Sequence, residues 1–203
     1  MKKNKISKNW INKQRRDIYV RRSKVDGYRS RAAYKLIEID EKFKIFKNGT
    51  SVIDLGAAPG SWSQYLSEKI LNGKILAIDL LEFKKINKVH QIIGDFSKEE
   101  SKQKIREYFN KKVDLVVSDM AVNTTGNKNL DSIVTGELCL DAMIFAKNQL
   151  NHKGKFISKL FMGSSFNEVV SEAKKIFKEV RVFKPPSSRK DSKESFIICK
   201  ILR

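Results

Sequence analysis

Short apolar runs alternate with stretches of helical periodicity from Asn48 onward. The apolar runs are typical of buried strands, and they lie at Ser51–Leu55, Lys74–Asp79, Val89–Ile93, Val113–Ser118, Lys155–Leu160, Val180–Phe183 and Phe196–Leu202. The periodic stretches predict helices at Gly60–Ile70, Ser97–Phe109, Gly136–Leu150 and Phe166–Phe177. Strands joined by crossover helices pair in parallel, with helices on both faces of the sheet. The pattern therefore predicts an α/β fold with a mostly parallel, seven-stranded sheet.

The helix that follows the third predicted strand carries a start signal. Ser97 and Glu100 are three positions apart, which is the spacing of a capping box. We therefore expect Ser97 to cap this helix through its side chain.

The charge of the chain is strongly positive. Lys and Arg total 42 against 23 Asp and Glu, which gives a formal net charge of +19. Between Met1 and Arg31 there are twelve basic and two acidic residues, with Trp10, Tyr19 and Tyr28 interleaved. Basic side chains contact phosphates and aromatic rings stack on bases, so this segment predicts contact with nucleic acid. A transit peptide, which is also basic, and a lysine-rich composition without function are the alternatives.

Cysteine usage and hydropathy exclude other classes. Cys139 and Cys199 lie far apart in apolar stretches, and with His90 and His152 they form no metal-ligand spacing. We therefore expect reduced core cysteines, no metal and a reducing compartment, the cytoplasm. No uncharged apolar run approaches the roughly 20 residues that span a bilayer. No apolar signal core follows the basic start, so we expect neither a membrane partner nor export.

Acidic residues follow the ends of several predicted strands. The first strand leads into a loop of small residues, Asp54–Trp62, and Asp79, Asp95 and Asp119 end or follow the next three strands. The loop is neither a dinucleotide fingerprint nor a P-loop. Ligands of such sheets bind at the carboxyl ends of the strands, where an acid can accept hydrogen bonds from ribose hydroxyls. One such acid would only cap a helix, but four in register predict an adenosyl ligand.

The loop at Asp54–Gln64, with the sequence DLGAAPGSWSQ, resembles the cofactor loop of the FtsJ/RrmJ family of RNA ribose 2′-O-methyltransferases. Three further segments agree with that family, at Ser30–Leu36, Ser118–Asn123 and Pro185–Phe196. The resemblance covers nearly the whole chain from Trp10. The length and the basic start are most similar to the bacterial branch that acts on large-subunit rRNA, which argues against a transit peptide.

The resemblance implies the Rossmann-like methyltransferase fold and S-adenosylmethionine as the cofactor. By this resemblance, Gly60 and Trp62 contact the cofactor. Asp79 at the end of the second strand holds its ribose, and Asp95 meets its adenine. Asp119 lies near the methionine end and the reaction centre.

The family's Lys-Asp-Lys-Glu tetrad corresponds to Lys35, Asp119, Lys159 and Glu194. Lys159 interrupts an apolar strand, where a charge is costly unless it is paired or functional. From the residues alone, a strand-end salt bridge and catalysis are equal alternatives. With the resemblance, Lys159 is the candidate that accepts or orients the 2′-hydroxyl proton, and Lys35 steers the substrate and holds the network. A lysine partner on a loop would explain Glu194 equally well.

Two positions depart from the family pattern. Ser61 replaces the second glycine of the usual Pro-Gly-Gly-Trp run, and Val122 replaces the proline of the usual Asp-Met-Ala-Pro-Asn. A serine fits the loop if its φ angle is negative, and a valine keeps the site apolar. These departures concern loop details and turnover more than the reaction class.

The implied substrate is a uridine ribose in the A loop of 23S rRNA, within the assembled large ribosomal subunit. We expect residues 1–35 to form an RNA-contacting segment, residues 36–203 to form the catalytic domain, and the protein to be a monomer. Two alternatives remain: the same chemistry on a tRNA anticodon loop, and a non-catalytic RNA-binding protein that retains the fold. The intact tetrad argues against the second.

Overall fold

The computed structural model of the protein describes residues 14–121 and 128–203. The strands are β1 (Ser51–Leu55), β2 (Lys74–Asp79), β3 (Val89–Ile93), β4 (Val113–Ser118), β5 (Leu150–Phe161), β6 (Phe177–Phe183) and β7 (Glu194–Leu202). The helices are α1 (Ile18–Val25), α2 (Ala32–Phe43), α3 (Ser61–Lys69), α4 (Glu99–Phe109), α5 (Lys128–Gln149) and α6 (Phe166–Ile176).

The seven strands form one sheet in the order β3-β2-β1-β4-β5-β7-β6. Neighbouring strands from β3 to β5 are parallel, whereas β7 runs antiparallel to both β5 and β6. The predicted seven-stranded, mostly parallel sheet is therefore confirmed. The strand order turns back beside β1, where β2 lies on one side and β4 on the other, and ligands of open α/β sheets bind at such a switch.

Alternate residues of the central strands pack against opposite helix layers, as the two-residue period of a strand requires. Val52 contacts the layer that contains α2 and α3, whereas Ile53 contacts the layer that contains α4, α5 and α6. Both side chains are fully buried, and each such burial stabilises the fold by about 1.5–3 kcal/mol. The apolar runs of the sequence therefore become central strands because both of their faces are covered.

Helix α2 connects the basic N-terminal segment to the core. Ala33, Tyr34 and Leu36 of this helix are buried, and Tyr19 of α1 packs its ring 5.3 Å from that of Tyr34. The expected division after residue 35 falls inside α2, since Lys35 lies within this helix. The described part of the N-terminal segment is thus packed against α2.

The capping prediction for Ser97 is wrong. Helix α4 begins at Glu99, its N-cap residue is Lys98, and no side chain caps it. The backbone N–H of Ser97 instead donates to Asp95 Oδ1 at 2.8 Å. This turn keeps the chain extended at Lys98 (φ −79°, ψ 144°), so the helix starts one residue later than the spacing predicts.

Cys139 and Cys199 are free and buried, which confirms them as core residues. No helix within the described residues is long and apolar enough to cross a membrane.

Candidate active site

Acidic side chains meet at the edge of the sheet where the parallel strands end. Asp54 lies on β1, Asp79 ends β2, and Asp119 follows β4. The backbone N–H of Gly94 donates to the carbonyl of Asp79 at 2.9 Å, which keeps the neighbouring Asp95 beside β2. The sheet therefore brings all four predicted acids to one edge.

Two lysines and two carboxylates form a closed ring next to this edge. Lys35 Nζ lies 2.7 Å from Glu194 Oε2 and 3.6 Å from Asp119 Oδ2. Lys159 Nζ lies 2.7 Å from Asp119 Oδ1 and 3.7 Å from Glu194 Oε2. Each lysine thus faces both acids and each acid faces both lysines. The structure brings the four predicted catalytic residues together.

The pairing of β5 with β7 explains how residues 35 positions apart in sequence meet in the ring. Because the two strands are antiparallel, the end of β5 lies beside the start of β7. Phe161 is opposite Glu194, and Lys159 is opposite Phe196. Helix α2 contributes Lys35 from the adjacent layer. A parallel β7 would have placed Glu194 at the other edge of the sheet.

The ring determines the charge states of Glu194 and Lys35. Burial alone would raise the pKa of Glu194, but the Lys35 and Lys159 charges outweigh it and lower that pKa to about 2. Burial alone would lower the pKa of Lys35, but Asp119 and Glu194 outweigh it and raise that pKa. At neutral pH the ring therefore holds an ionised Glu194 against a protonated Lys35.

Lys159 has bonding capacity left for a substrate hydroxyl. Its side chain is 7 % exposed, and its Nζ donates to the backbone carbonyl of Asp119 at 3.0 Å as well as facing the Asp119 carboxylate. An ammonium has three N–H donors. The carbonyl of Asp119 takes one of them, and the carboxylate, whose Oδ1 accepts no hydrogen bond, at most faces a second. Glu194 is too distant for a direct hydrogen bond. One position of Lys159 therefore remains for a substrate hydroxyl.

The carboxylate of Asp79 already joins two loops. Its Oδ2 accepts the backbone N–H of Ala58 at 2.9 Å, and its Oδ1 accepts that of Leu81 at 2.8 Å. Each carboxylate oxygen has a second lone pair. Asp79 can therefore accept two ribose hydroxyls and hold both loops at the same time.

Gly60 occupies a position that requires glycine. Its φ angle is +99°, and an added Cβ atom would lie within 3 Å of the Arg29, Phe83 and Ile86 side chains. Arg29 donates to the carbonyl oxygens of Pro59 at 2.8 Å and of Lys85 at 3.0 Å. The segment after β2 thus lies over the loop that contains Gly60.

Trp62 lies deeper than the resemblance implies. Its indole N–H donates to the carbonyl of Ala32 at 2.9 Å, and its ring centroid is 5.7 Å from that of Phe196. Both contacts join α3 to neighbouring elements. The side chain is 2 % exposed, although it lines a small cavity beside Asp119. A direct contact of Trp62 with the cofactor stays a prediction.

A cavity of about 40 Å³ lies between the β1–α3 loop and the ring, and Asp54, Gly56, Ser61, Trp62 and Asp119 line it with their neighbours. Ser61, one of the two departures from the family pattern, is the first residue of α3 and is buried. Its hydroxyl lies 2.7 Å from that of Ser30. The helical backbone there has a negative φ angle, which is the condition under which serine fits. Val122, Asn123 and Trp10 lie outside the described residues.

Asp54 is a site residue to which the sequence interpretation gave no role of its own. It is fully buried, and burial, with smaller contributions from Asp119 and Asp79, raises its pKa to about 7 although Ser63 donates to it. The hydrogen bond from Ser63 Oγ is 2.6 Å long. The signal was an acid inside an otherwise apolar strand, the same signal that singled out Lys159.

Comparison with known proteins identifies the family. The profile of FtsJ-like methyltransferases matches residues 28–202. A ribosomal RNA large subunit methyltransferase E from Pelagibacter ubique is 68% identical over 203 residues, 100% of both chains. The Rickettsia bellii protein of that name is 46% identical over 198 residues, which are 95% of this chain and 87% of the relative.

Comparison with solved structures gives the same result as the comparison of sequences. A ribosomal RNA methyltransferase structure from Plasmodium falciparum is 35% identical, with a TM-score of 0.79, and covers 86% of this chain and 98% of that one. A Streptococcus mutans methyltransferase structure in complex with SAH shares the fold, with 15% identity, a TM-score of 0.54 and coverage of 82% and 97%. The fold is that of S-adenosylmethionine-dependent methyltransferases. The chain belongs to the FtsJ-like methyltransferase family.

Proposed function

We propose that this methyltransferase transfers a methyl group from S-adenosylmethionine to a ribose 2′-hydroxyl of 23S rRNA in the large ribosomal subunit. The observation that carries the proposal is the closed ring of Lys35, Asp119, Lys159 and Glu194 beside the acidic edge of the sheet. The names of the relatives from Pelagibacter ubique and Rickettsia bellii support the substrate.

The residues at the edge fit the proposed cofactor. S-adenosylmethionine carries an ammonium and a sulfonium, and when bound it supplies a methyl group on positively charged sulfur. The buried carboxyl of Asp54, with its pKa raised to about 7, and the nearby Asp119 suit such a cationic group. Asp79 retains lone pairs for ribose hydroxyls, and Asp95 lies beside it for the adenine.

Lys159 acts on the substrate hydroxyl in this proposal. Methylation forms a bond between the 2′-oxygen and the methyl carbon while the bond from that carbon to sulfur breaks and its electron pair goes to the sulfur, and the 2′-hydroxyl loses its proton. A remaining N–H of protonated Lys159 orients that hydroxyl, or the neutral amine of Lys159 accepts its proton. Lys35 and Glu194 hold the ring together, because removing one member of a buried ion pair leaves an uncompensated charge.

The basic segment of residues 1–35 supplies the RNA contact in this proposal. In its described part, Arg15, Arg16, Arg21 and Lys24 are exposed and lie on or just before α1. Exposed basic side chains bind RNA phosphates and release counterions. The chain then acts as a monomer in the cytoplasm, where ribosomal subunits are assembled.

Mapping of ribose methylation by mass spectrometry tests the proposal, with rRNA and tRNA from cells that have or lack the gene. We expect one 2′-O-methyl group of 23S rRNA to disappear and to return when purified protein is added to large subunits. Loss of a tRNA methyl group with intact 23S rRNA would favour the anticodon-loop enzyme. Unchanged methylation of both RNAs would favour the non-catalytic RNA-binding protein.

A further inference from the structure

Asp17 is a buried acid that the methylation step does not use. Its Oδ2 accepts hydrogen bonds from Arg31 and from Arg189 Nε, the latter at 3.1 Å. Its Oδ1 accepts the backbone N–H of Tyr19 at 3.0 Å and so caps α1. The side chain is 8% exposed. A single carboxylate thus joins the start of α1, the start of α2 and the loop of residues 184–193.

Helix α2 holds the same loop with further bonds. Glu38 Oε2 accepts the N–H of Ser187 at 2.8 Å and its hydroxyl at 2.7 Å. Arg31 also donates to the carbonyl of Ser187. Arg31, Lys35 and Glu38 are four and three positions apart, so they share one face of the helix. The face that supplies Lys35 to the ring therefore also fixes the loop.

Ser188, the next residue of the loop, reaches the ring itself. It is buried, and its hydroxyl donates to Glu194 Oε1 at 2.8 Å. The other carboxylate oxygen, Oε2, is the one that faces Lys35 and Lys159. Ser188 thus fixes the orientation of the Glu194 carboxylate.

We propose that Asp17, Arg31 and Glu38 form a positioning unit, the clasp, that holds Ser188 so that Glu194 presents Oε2 to the two lysines. The clasp acts through Glu194 and does not touch the substrate. Its effect on rate follows from orientation, because displacing a catalytic group by about 1 Å can cost on the order of a hundredfold. The inference gives the N-terminal helix a role in the reaction besides RNA contact, and it rests on the proposed function.

Ser188→Ala and Asp17→Asn test the clasp by single-turnover methylation of large subunits at saturating substrate. We expect Ser188→Ala to lower the rate about tenfold with KM unchanged, and Ser188→Thr, which keeps the hydroxyl, to restore most of it. In a Glu194→Gln background, Ser188→Ala and Asp17→Asn should have little further effect. Ser67→Ala is the matched control, since this α3 hydroxyl also makes one hydrogen bond but lies outside the clasp.

Either of two rate measurements would overturn the clasp: a wild-type rate for Ser188→Ala, or the same loss of rate in the Glu194→Gln background as in the wild type. Melting temperatures of the same variants supply a second test that needs no substrate. The clasp predicts that Asp17→Asn lowers the melting temperature less in the Glu194→Gln background, although the two side chains are not in contact. Additive shifts would also overturn it. Absent wild-type methylation of large subunits would instead count against the proposed function.

Discussion

Lys159 is the residue on which the proposed chemistry depends most directly. If it acts on the 2′-hydroxyl, Lys159→Ala should lower the rate of methyl transfer about a hundredfold or more. Binding of S-adenosylmethionine and of RNA should survive, because the interaction that is removed belongs to the transition state. Lys159→Arg should not restore the rate, since guanidinium stays protonated and differs in shape. Single-turnover rates on purified large subunits measure the effect.

A purely structural role for Lys159 gives a different outcome. Loss of one member of the ring would then lower the melting temperature while the folded fraction turned over at a near-normal rate. A melting curve recorded beside each rate separates the two cases. Wild-type-like turnover in a folded Lys159→Ala protein would end the catalytic assignment.

The raised pKa of Asp54 predicts how the stability of the protein depends on pH. Its pKa is raised to about 7 in the fold, against about 3.9 for a free aspartate. Folding thus favours the protonated carboxyl of Asp54. Its contribution to the free energy of unfolding is fully present below about pH 4 and is lost as the pH rises through 7. The melting temperature of the cofactor-free protein should fall across this range, and Asp54→Asn should reduce that fall.

Cofactor binding should reverse the protonation of Asp54. A cationic ligand beside this carboxyl favours the carboxylate, so binding of S-adenosylmethionine near pH 7 should release protons. Calorimetry in two buffers of different ionisation enthalpy measures the release. Equal binding enthalpies in the two buffers would place the cationic end of the cofactor elsewhere.

At the scale of elements, the loops after β1 and β2 are joined through Asp79. Asp79→Ala should weaken S-adenosylmethionine binding at least about thirtyfold, since two charge-assisted hydrogen bonds amount to roughly 2–4 kcal/mol. Titration calorimetry measures the affinity. Asp114→Ala is the control, because Asp114 also accepts a backbone N–H, from Ser51 at 2.8 Å, at the opposite edge of the sheet. Unchanged affinity in a folded Asp79→Ala protein would remove Asp79 from the site.

The sequence predicted the central elements closely. The strands β1 to β4 begin and end at the predicted residues, because strands buried on both faces are continuous apolar runs. Helix α5 begins at Lys128, whereas the sequence predicted a start at Gly136. The prediction was late because polar residues before Gly136 weaken the helical pattern. Strand β5 begins at Leu150, whereas the sequence predicted a start at Lys155. His152 and Lys153 interrupt the apolar run before Lys155 and hid the first part of the strand.

The site was predictable only in part. The tetrad followed from the family resemblance, and the residues alone left Lys159 undecided between a salt bridge and catalysis. The clasp could not be foreseen, because Asp17 and Arg189 are 172 positions apart and local patterns carry no information on such pairs. An Asp near the N-terminus of a helix predicts a cap, and Asp17 does cap α1. Its bonds to Arg31 and Arg189 depend on the tertiary fold.

At the scale of the whole molecule, the basic N-terminal segment should govern affinity for RNA. The test replaces the first five lysines by glutamine, at Lys2, Lys3, Lys5, Lys8 and Lys13. These changes should weaken binding to large subunits. They should also lower the slope of the salt dependence by about 0.7–0.9 for each phosphate that is no longer neutralised. Cofactor affinity and the rate at saturating substrate should stay unchanged. The substitutions leave Asp17 and Tyr19 intact, whereas a deletion through residue 24 would also remove Asp17 from the clasp.

A matched control removes the same charge elsewhere. Five exposed lysines outside that segment can be changed to glutamine, at Lys104, Lys111, Lys153, Lys174 and Lys175. Binding curves at several salt concentrations then compare two proteins of equal net charge. Equal salt slopes for both would mean that the N-terminal segment has no special role, and that its charge reflects composition alone.

Strand β7 is the latest strand in the chain, yet it lies inside the sheet between β5 and β6. During synthesis on a ribosome, β5 and β6 therefore emerge before the strand that separates them. Until β7 is inserted, both present unpaired backbone groups, which are templates for aggregation. The same insertion delivers Glu194. A nascent chain therefore acquires a complete ring only when β7 is inserted, so the enzyme becomes active in the step that pairs β5 and β6 with the strand between them.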